Sequence, residues 1–447
     1  MATDILIIGG SAAGVMTAIT AKDRHPEKSI TIIRKEAQVM VPCGIPYIFG
    51  SLQCSDQNIM PDKMLLDSGI KIVVDEVSSI DKEASTCKTK SNGTISYEKL
   101  IFATGSTPRV PTWLKGTDLD NVFVIPKNKI YLDELNEKLK DKNSIVIIGG
   151  GFIGIEMADE LHKVGKNVTI VEMLPHVLGA VFDDKTATKA HNVLLSRGVK
   201  IEAGSGIKSI NGNKIVSSVT LANDKVLDAD AVILSMGYAP NTTLAKETGL
   251  EVNEFDQIVV DEFRRSQFEN IFAAGDCAQK KDFITGKRTP IMLASIATFE
   301  GKTAGLNLYG IATTKNISGT VAMFSTTIGE DVFATAGYTK SAALKEGLNI
   351  ISASFDGIDK HPATIYGTKA LSVELIVMKN SGRIIGGTLS GGNSAGELVN
   401  VLGFAVQSRM TVHELYVMQV ATHPLLTGSP VAHPLIKAAE IAAKQLS

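Results

Sequence analysis

The sequence predicts an α/β fold in which two strand–turn–helix units precede a C-terminal α+β domain. Two apolar runs, Ile5-Leu6-Ile7-Ile8 and Ile145-Val146-Ile147-Ile148, end in glycine turns, GGSAAG at 9–14 and GGGFIG at 149–154. Each turn leads into a helical pattern, 15–22 and 155–164, and then a short apolar strand, 29–33 and 167–171. Uninterrupted β-branched runs suit strands covered on both faces, as in a parallel sheet flanked by helices. At about 150 residues per domain, 447 residues leave room for about three domains.

The remaining elements follow in order. Residues 73–79 and 87–100 alternate and predict antiparallel strands with an SNGT turn at 91–94. The run IFATG at 101–105 closes that stretch, and Pro108–Pro111 reads as a linker. After the second unit, alternation resumes over 207–230, then residues 231–236 run into Gly237. A third apolar run, 271–274, leads into Gly275-Asp276. Beyond about residue 320, strands are expected at 318–338, 349–355 and 371–377, then helices at 395–407 and 435–445. This last third has no nucleotide fingerprint and reads as an interface or oligomerisation domain.

Composition narrows the function. Hydrophobic residues make up 44% and charged residues 21%, which excludes a disordered chain. With 45 Lys+Arg against 47 Asp+Glu, no basic surplus exists to neutralise nucleic-acid phosphates. No apolar run approaches the ~20 residues of a membrane span. The start MATDILIIGG lacks the basic region and cleavage site of a signal peptide. Four cysteines are too few for a disulfide scaffold and fit a reducing compartment, so a cytoplasmic protein is expected.

The glycine turns are candidate phosphate cradles. A turn without side chains admits a pyrophosphate, and the following helix offers free N–H groups and a positive dipole end. Gly149, Gly151 and Gly154 have this spacing, and Glu172 stands at the end of the next strand. An acid there accepts ribose hydroxyls and repels a 2′-phosphate, which favours NADH over NADPH. The first turn keeps Gly9 and Gly14 but has Ser11 in the middle position. Arg34 stands where an acid is expected, and Glu36, two residues on, is the candidate for the ribose. The bland alternative is a tight turn without a ligand.

Cys43 lies in VPCGIPY at 41–47. A thiolate is a nucleophile, and a cysteine at such a turn beside a flavin or cation is poised for low pKa. An internal dithiol needs a second cysteine about one turn on, but Tyr47 and Ile48 occupy those positions and Cys54 is eleven residues away. A redox-active Cys43 would therefore work with an external thiol or as a sulfenic acid. The competing reading is a buried, inert cysteine, which Cys54, Cys87 and Cys277 keep. The spacings contain no zinc pattern.

Taken together, the two cradles, ATG at 103–105, GYAPN at 237–241 and AAGDC at 273–277 resemble the flavin-dependent pyridine nucleotide–disulfide oxidoreductases. The resemblance covers essentially the whole chain. VPCGIPY resembles the single-cysteine branch of coenzyme A-disulfide reductases, persulfide or polysulfide reductases, NADH oxidases and NADH peroxidases. It implies two Rossmann-like domains, for FAD (1–112 and 244–320) and NAD(H) (113–243), and a C-terminal dimerisation domain (321–447) reaching the partner's active site. The implied FAD residues are Gly9, Ser11, Ala12, Gly14, Glu36, Pro42, Ala103, Thr104, Gly105, Gly275, Asp276 and Ala294. Those for NADH are Gly149, Gly151, Phe152, Ile153, Gly154, Glu156, Glu172 and Gly237, with Phe152 gating the nicotinamide pocket beside Glu156. NADPH is the alternative reductant.

Peroxidases and many oxidases of this group carry a histidine where this chain has Ala12, so Ala12 points to the coenzyme A-disulfide reductase side. Tyr366 matches a C-terminal tyrosine of those members, while their second tyrosine is replaced within Thr422-His423-Pro424. The proton donor is then Tyr366 or His423, with His433 as rival; His423 could instead cap the terminal helix or bond a carbonyl. The other six histidines read as surface residues. Lys22 and Arg24 would meet coenzyme A phosphates, or simply form a solvated helix end. The expected reaction carries electrons from NADH through FAD and Cys43 to a disulfide, coenzyme A persulfide or polysulfide. The alternatives are an NADH oxidase reducing O₂ and a non-catalytic dinucleotide-sensing or electron-carrier flavoprotein.

Overall fold

A computed structural model describes residues 1–312 and 319–446. Residues 313–318, within the expected 244–320 segment and touching the expected 318–338 strands, and residue 447 of the expected last domain lie outside the described residues. The chain divides into two compact units. One comprises Met1–Pro111, Phe123–Asp141 and Met236–Thr320; the other comprises Thr112–Val122, Lys142–Ser235 and Val321–Ser447.

In the first unit, strand Ala2–Ile8 runs parallel to Ile30–Arg34 on one side and Thr94–Phe102 on the other. Lys71–Val74 and Ile271–Ala273 extend this parallel sheet. Ile5 and Ile7 pack into one buried cluster with Ala18 and Ala304, while Leu6 and Ile8 join another with Ile33 and Ile258. Apolar layers on both faces explain why this strand does not alternate. Helices Ala12–Arg24 and Ala294–Asn307 pack so closely that a Cβ on Gly301 would stand 2.5 Å from the Ala13 carbonyl oxygen.

Two expectations need correction. Residues 73–79 span two strands, because Val73 and Val74 pair parallel with Ile33 and Arg34 while Val77–Asp81 pairs antiparallel with Thr86–Thr89. The Pro108–Pro111 linker begins within a short strand, Ser106–Pro108, antiparallel to Tyr238–Pro240. The turn at 91–94 forms as expected between Thr86–Thr89 and Thr94–Phe102.

In the second unit, parallel strands lie in the order Ala231–Leu234, Ser144–Ile148, Asn167–Glu172, Lys200–Ala203. An antiparallel sheet of Ile207–Gly212, Val216–Leu221 and Val226–Asp228 follows. The C-terminal part forms a five-stranded antiparallel sheet ordered Met323–Ile328, Asp331–Gly337, Ile384–Gly391, Ala370–Met378, Ile350–Ile358. Helices Ala395–Gln407 and Pro434–Leu446 match the expected ones. The central strand, IIGGTLSG, was not expected from the sequence. Its glycines admit close neighbours: a Cβ on Gly387 would lie 2.2 Å from the Glu374 carbonyl oxygen. Among the described residues no helix is long and apolar enough to cross a membrane.

Candidate functional site

The same backbone turn is built twice. Strand Ala2–Ile8 passes into Gly9 at φ +113°, and strand Ser144–Ile148 into Gly149 at φ +110°. A Cβ on Gly14 would stand 1.9 Å from the Gly9 carbonyl oxygen, and one on Gly154 would stand 1.9 Å from that of Gly149. Helices open at Ala12 and Phe152, with Ser11 and Gly151 in the capping positions and no side-chain cap at either. The first N–H groups of a helix lack intrahelical partners, so both ends suit an anion. Gly9, Ser11, Ala12 and Gly14 therefore assemble in one turn, and Gly149, Gly151, Phe152, Ile153 and Gly154 in the other.

Beneath each turn lies the residue ending the next strand. Glu172 accepts hydrogen bonds from the Gly150 N–H (2.7 Å) and the Leu174 N–H (2.8 Å), which fix its carboxylate. In the first unit the corresponding residue, Arg34, is buried against Gly10 and forms a bidentate pair with Asp62, 2.6 Å at each oxygen. Glu36 lies half-buried just past the strand. Asp62 was not identified from sequence: it arrives from a loop 28 residues on, and the only signal was the cation in an acid's place.

A second loop converges near the first turn. A Cβ on Gly9 would lie 2.0 Å from the Ala103 carbonyl oxygen. The Thr104 hydroxyl donates to the Asn241 carbonyl at 2.6 Å, and the Asn241 N–H to that of Gly105 at 2.9 Å. The Ser106 hydroxyl donates to Asp276 Oδ2 at 2.6 Å, and Lys127 Nζ lies 2.9 Å from the same oxygen. Burial raises the Asp276 pKa, but Lys127, Ser106 and Lys280 outweigh it and hold the carboxyl below its ordinary value. Ala294 opens its helix without a side-chain cap. Gly237, at φ +84°, accepts from the Arg109 N–H at 2.9 Å within the first unit.

Cys43 sits exposed on the 3-10 turn Pro42–Gly44. Asn58, itself buried, grips that turn. Its carbonyl accepts from the Val41 N–H (2.9 Å), and its side-chain amide donates to the Val41 carbonyl (3.0 Å). A Cβ on Gly44 would stand 2.0 Å from Asn58 Oδ1, so a side chain there would displace the Asn58 amide from the turn. Cys54 is half-buried, while burial pushes the Cys87 thiol up to about 12 and raises Cys277 also. Exposure separates Cys43 from the rest.

The acid–base candidates differ sharply. Tyr366 is 99% exposed. His423 is exposed and its Nδ1 accepts from the Leu425 N–H at 3.2 Å, so it caps its own turn rather than the terminal helix. His433 is buried just before that helix, and burial lowers its pKa. Lys22 Nζ donates to the carbonyls of Pro26 (2.8 Å) and Lys28 (2.9 Å), closing its helix, and Arg24 is exposed. Only His413 of the six expected surface histidines is exposed, the others being half-buried; His176 and His191, for example, pack edge to face at 5.3 Å.

Phe152 stacks on Phe324 at 5.2 Å between centroids. Burial pushes the Glu156 carboxyl up to about 7, opposed by the Thr326 hydroxyl at 2.8 Å and reinforced by Glu160. A raised folded value stabilises the protein fully below the unfolded value near 4.5, and this contribution is lost as pH rises through about 7. The change amounts to about 3 kcal/mol. Glu156→Gln should therefore gain melting temperature relative to the native chain between roughly pH 5 and pH 8. A constant difference would remove this assignment.

Comparison with known proteins decides the lineage. The profile described as pyridine nucleotide-disulphide oxidoreductase matches residues 3–301, and that of the family's dimerisation domain matches residues 301–433. The chain belongs to the pyridine nucleotide-disulphide oxidoreductase family. This oxidoreductase is 31% identical to a Methanocaldococcus jannaschii protein named NADH oxidase, over 99% of both chains. It is 29% identical to the NAD(P)H coenzyme A polysulfide/persulfide reductase of Pyrococcus horikoshii, over 99% of this chain and 98% of that one. A solved NAD-dependent persulfide reductase from A. fulgidus superposes with a TM-score of 0.91 at 27% identity, covering 100% of this chain and 83% of that chain. The oxidoreductase is an NAD(P)H-dependent flavoprotein with FAD as its cofactor, an α/β enzyme with a C-terminal dimerisation domain. Its uncapped turn at Gly9 and the charged acceptor Asp276 fit that flavin.

Proposed function

We propose that this flavoprotein uses NADH to reduce a sulfur acceptor, a disulfide, coenzyme A persulfide or polysulfide, with Cys43 as nucleophile. The observation that carries this reading is Cys43 itself, exposed on a turn fixed by Asn58. In this reading residues 1–112 and 244–320 bind FAD, 113–243 bind NAD(H), and 321–447 form the homodimer. The first turn, with Pro42, Ala103, Thr104, Gly105, Gly275, Asp276 and Ala294, holds FAD, and Glu36 or the Arg34-held Asp62 meets the ribose. The second turn holds NADH with Glu156, Glu172 selects against a 2′-phosphate, and Gly237 remains a candidate for the same cofactor. Bound FAD supplies the two-electron link between reductant and sulfur.

The Cys43 thiolate attacks one sulfur of the acceptor. A bond to its Sγ forms, the S–S bond breaks, and the departing thiolate takes a proton from Tyr366 or His423. His433 is too enclosed to deliver it. Tyr366 is bare in one chain, which supports a role in the partner's site. Arg24 rather than Lys22, whose ammonium closes its helix, is left for coenzyme A phosphates. A cytoplasmic location completes the reading.

The relative named NADH oxidase supports a second reading, with O₂ as acceptor. Anaerobic turnover with a panel of sulfur acceptors separates the two. Thiol release matching NADH consumption is expected. Oxygen uptake matching NADH, with no thiol released anaerobically, would establish the oxidase instead.

A further inference from the structure

A buried group of charges surrounds the Gly275–Asp276 turn and has no part in the chemistry above. The Lys280 side chain is fully enclosed; its Nζ donates to the carbonyls of Gly275 (2.7 Å) and Ala278 (2.8 Å) and lies 3.8 Å from Glu300. Glu300, equally buried, accepts from the Gly275 N–H at 2.8 Å through Oε2 and from Arg264 at 2.8 Å through Oε1. Arg264 also donates to the Gln279 carbonyl at 3.1 Å. Charged side chains thus hold both the N–H and the C=O of Gly275. A Cβ on this glycine would meet that of Ala13 at 2.9 Å, so the first cradle's helix backs the turn.

Lysine is almost never fully buried, because desolvating an ammonium is expensive. Here its hydrogen bonds end on the turn that aims Asp276. Lys127, Lys280 and Arg264 against Asp276 and Glu300 leave one positive charge in surplus, a field complementary to an anionic ligand.

We propose that Lys280 and Glu300 are positioning residues for the flavin, acting through Asp276 by clamping the peptide groups of Gly275. The proposal rests on the reading of Asp276 as a flavin-holding residue. It assigns neither residue a contact with FAD.

The test is a double-mutant cycle on FAD affinity, measured by reconstituting the full-length apoprotein and following flavin fluorescence and visible circular dichroism. Lys280→Met and Asp276→Asn should each weaken FAD binding by about tenfold. The double variant should bind no more weakly than the weaker single one, since both disable the same contact. Effects that multiply, or native affinity in Lys280→Met, would overturn the proposal. Native affinity in Asp276→Asn would instead remove the reading of Asp276, and the proposal with it. Should Lys280→Met not fold, the isosteric Glu300→Gln provides the same cycle, with a smaller loss of about threefold expected.

Discussion

Replacing Cys43 with serine should lower thiol release from a sulfur acceptor by at least about a thousandfold while NADH still reduces the flavin. A serine hydroxyl is not ionised near neutral pH and forms no disulfide, so the attack that opens the acceptor is lost. The hydride route from NADH to flavin does not need this sulfur. Stopped-flow absorbance under anaerobic conditions follows flavin reduction, and a thiol reagent follows product. Because Asn58 holds the turn through Val41 and Gly44, the serine variant should keep its geometry, and the loss would report chemistry alone. Undiminished acceptor turnover would end the case for Cys43.

The second large effect is a contrast between two glycines three residues apart. Gly154→Ala places a Cβ 1.9 Å from the Gly149 carbonyl oxygen, so strand and helix must separate. Such overpacking costs about 3 kcal/mol, and melting temperature should fall together with NADH affinity. Gly151→Ala meets nothing within 4 Å, and φ is an ordinary −77°. That variant should keep its melting temperature, yet raise the KM for NADH about tenfold by obstructing the approach of the pyrophosphate. Equal effects on stability from the two substitutions would show that the turn is not packed as described.

The sequence carried the two cradles well, because their chemistry is local: strand, missing side chains and helix lie within about ten residues. Cys43 was equally legible. Its support was not, since Asn58 reaches the turn from fifteen residues away with a side chain of no special character. Asp62 was missed for the same reason, and Arg34 looked out of place only because its partner was out of view. The central strand Ile384–Gly391 went unseen because two adjacent glycines disguise a strand whose neighbours need that space. The stretch 73–79 reads as one strand because alternation persists across a change of partner. The histidines misled most, since polar neighbours in sequence say little about burial in space.

The close contact of Gly301 with the Ala13 backbone joins segments almost three hundred residues apart, and this orders events on the ribosome. Residues 142–235, with their own parallel sheet, leave the exit tunnel before strand Ile271–Ala273 and helix Ala294–Asn307 exist. The parallel sheet begun first is therefore completed later than the second one, and its nascent apolar face must wait for the returning chain. A message truncated between those points yields a second sheet fully synthesised beside a first one that lacks its closing strand and helix.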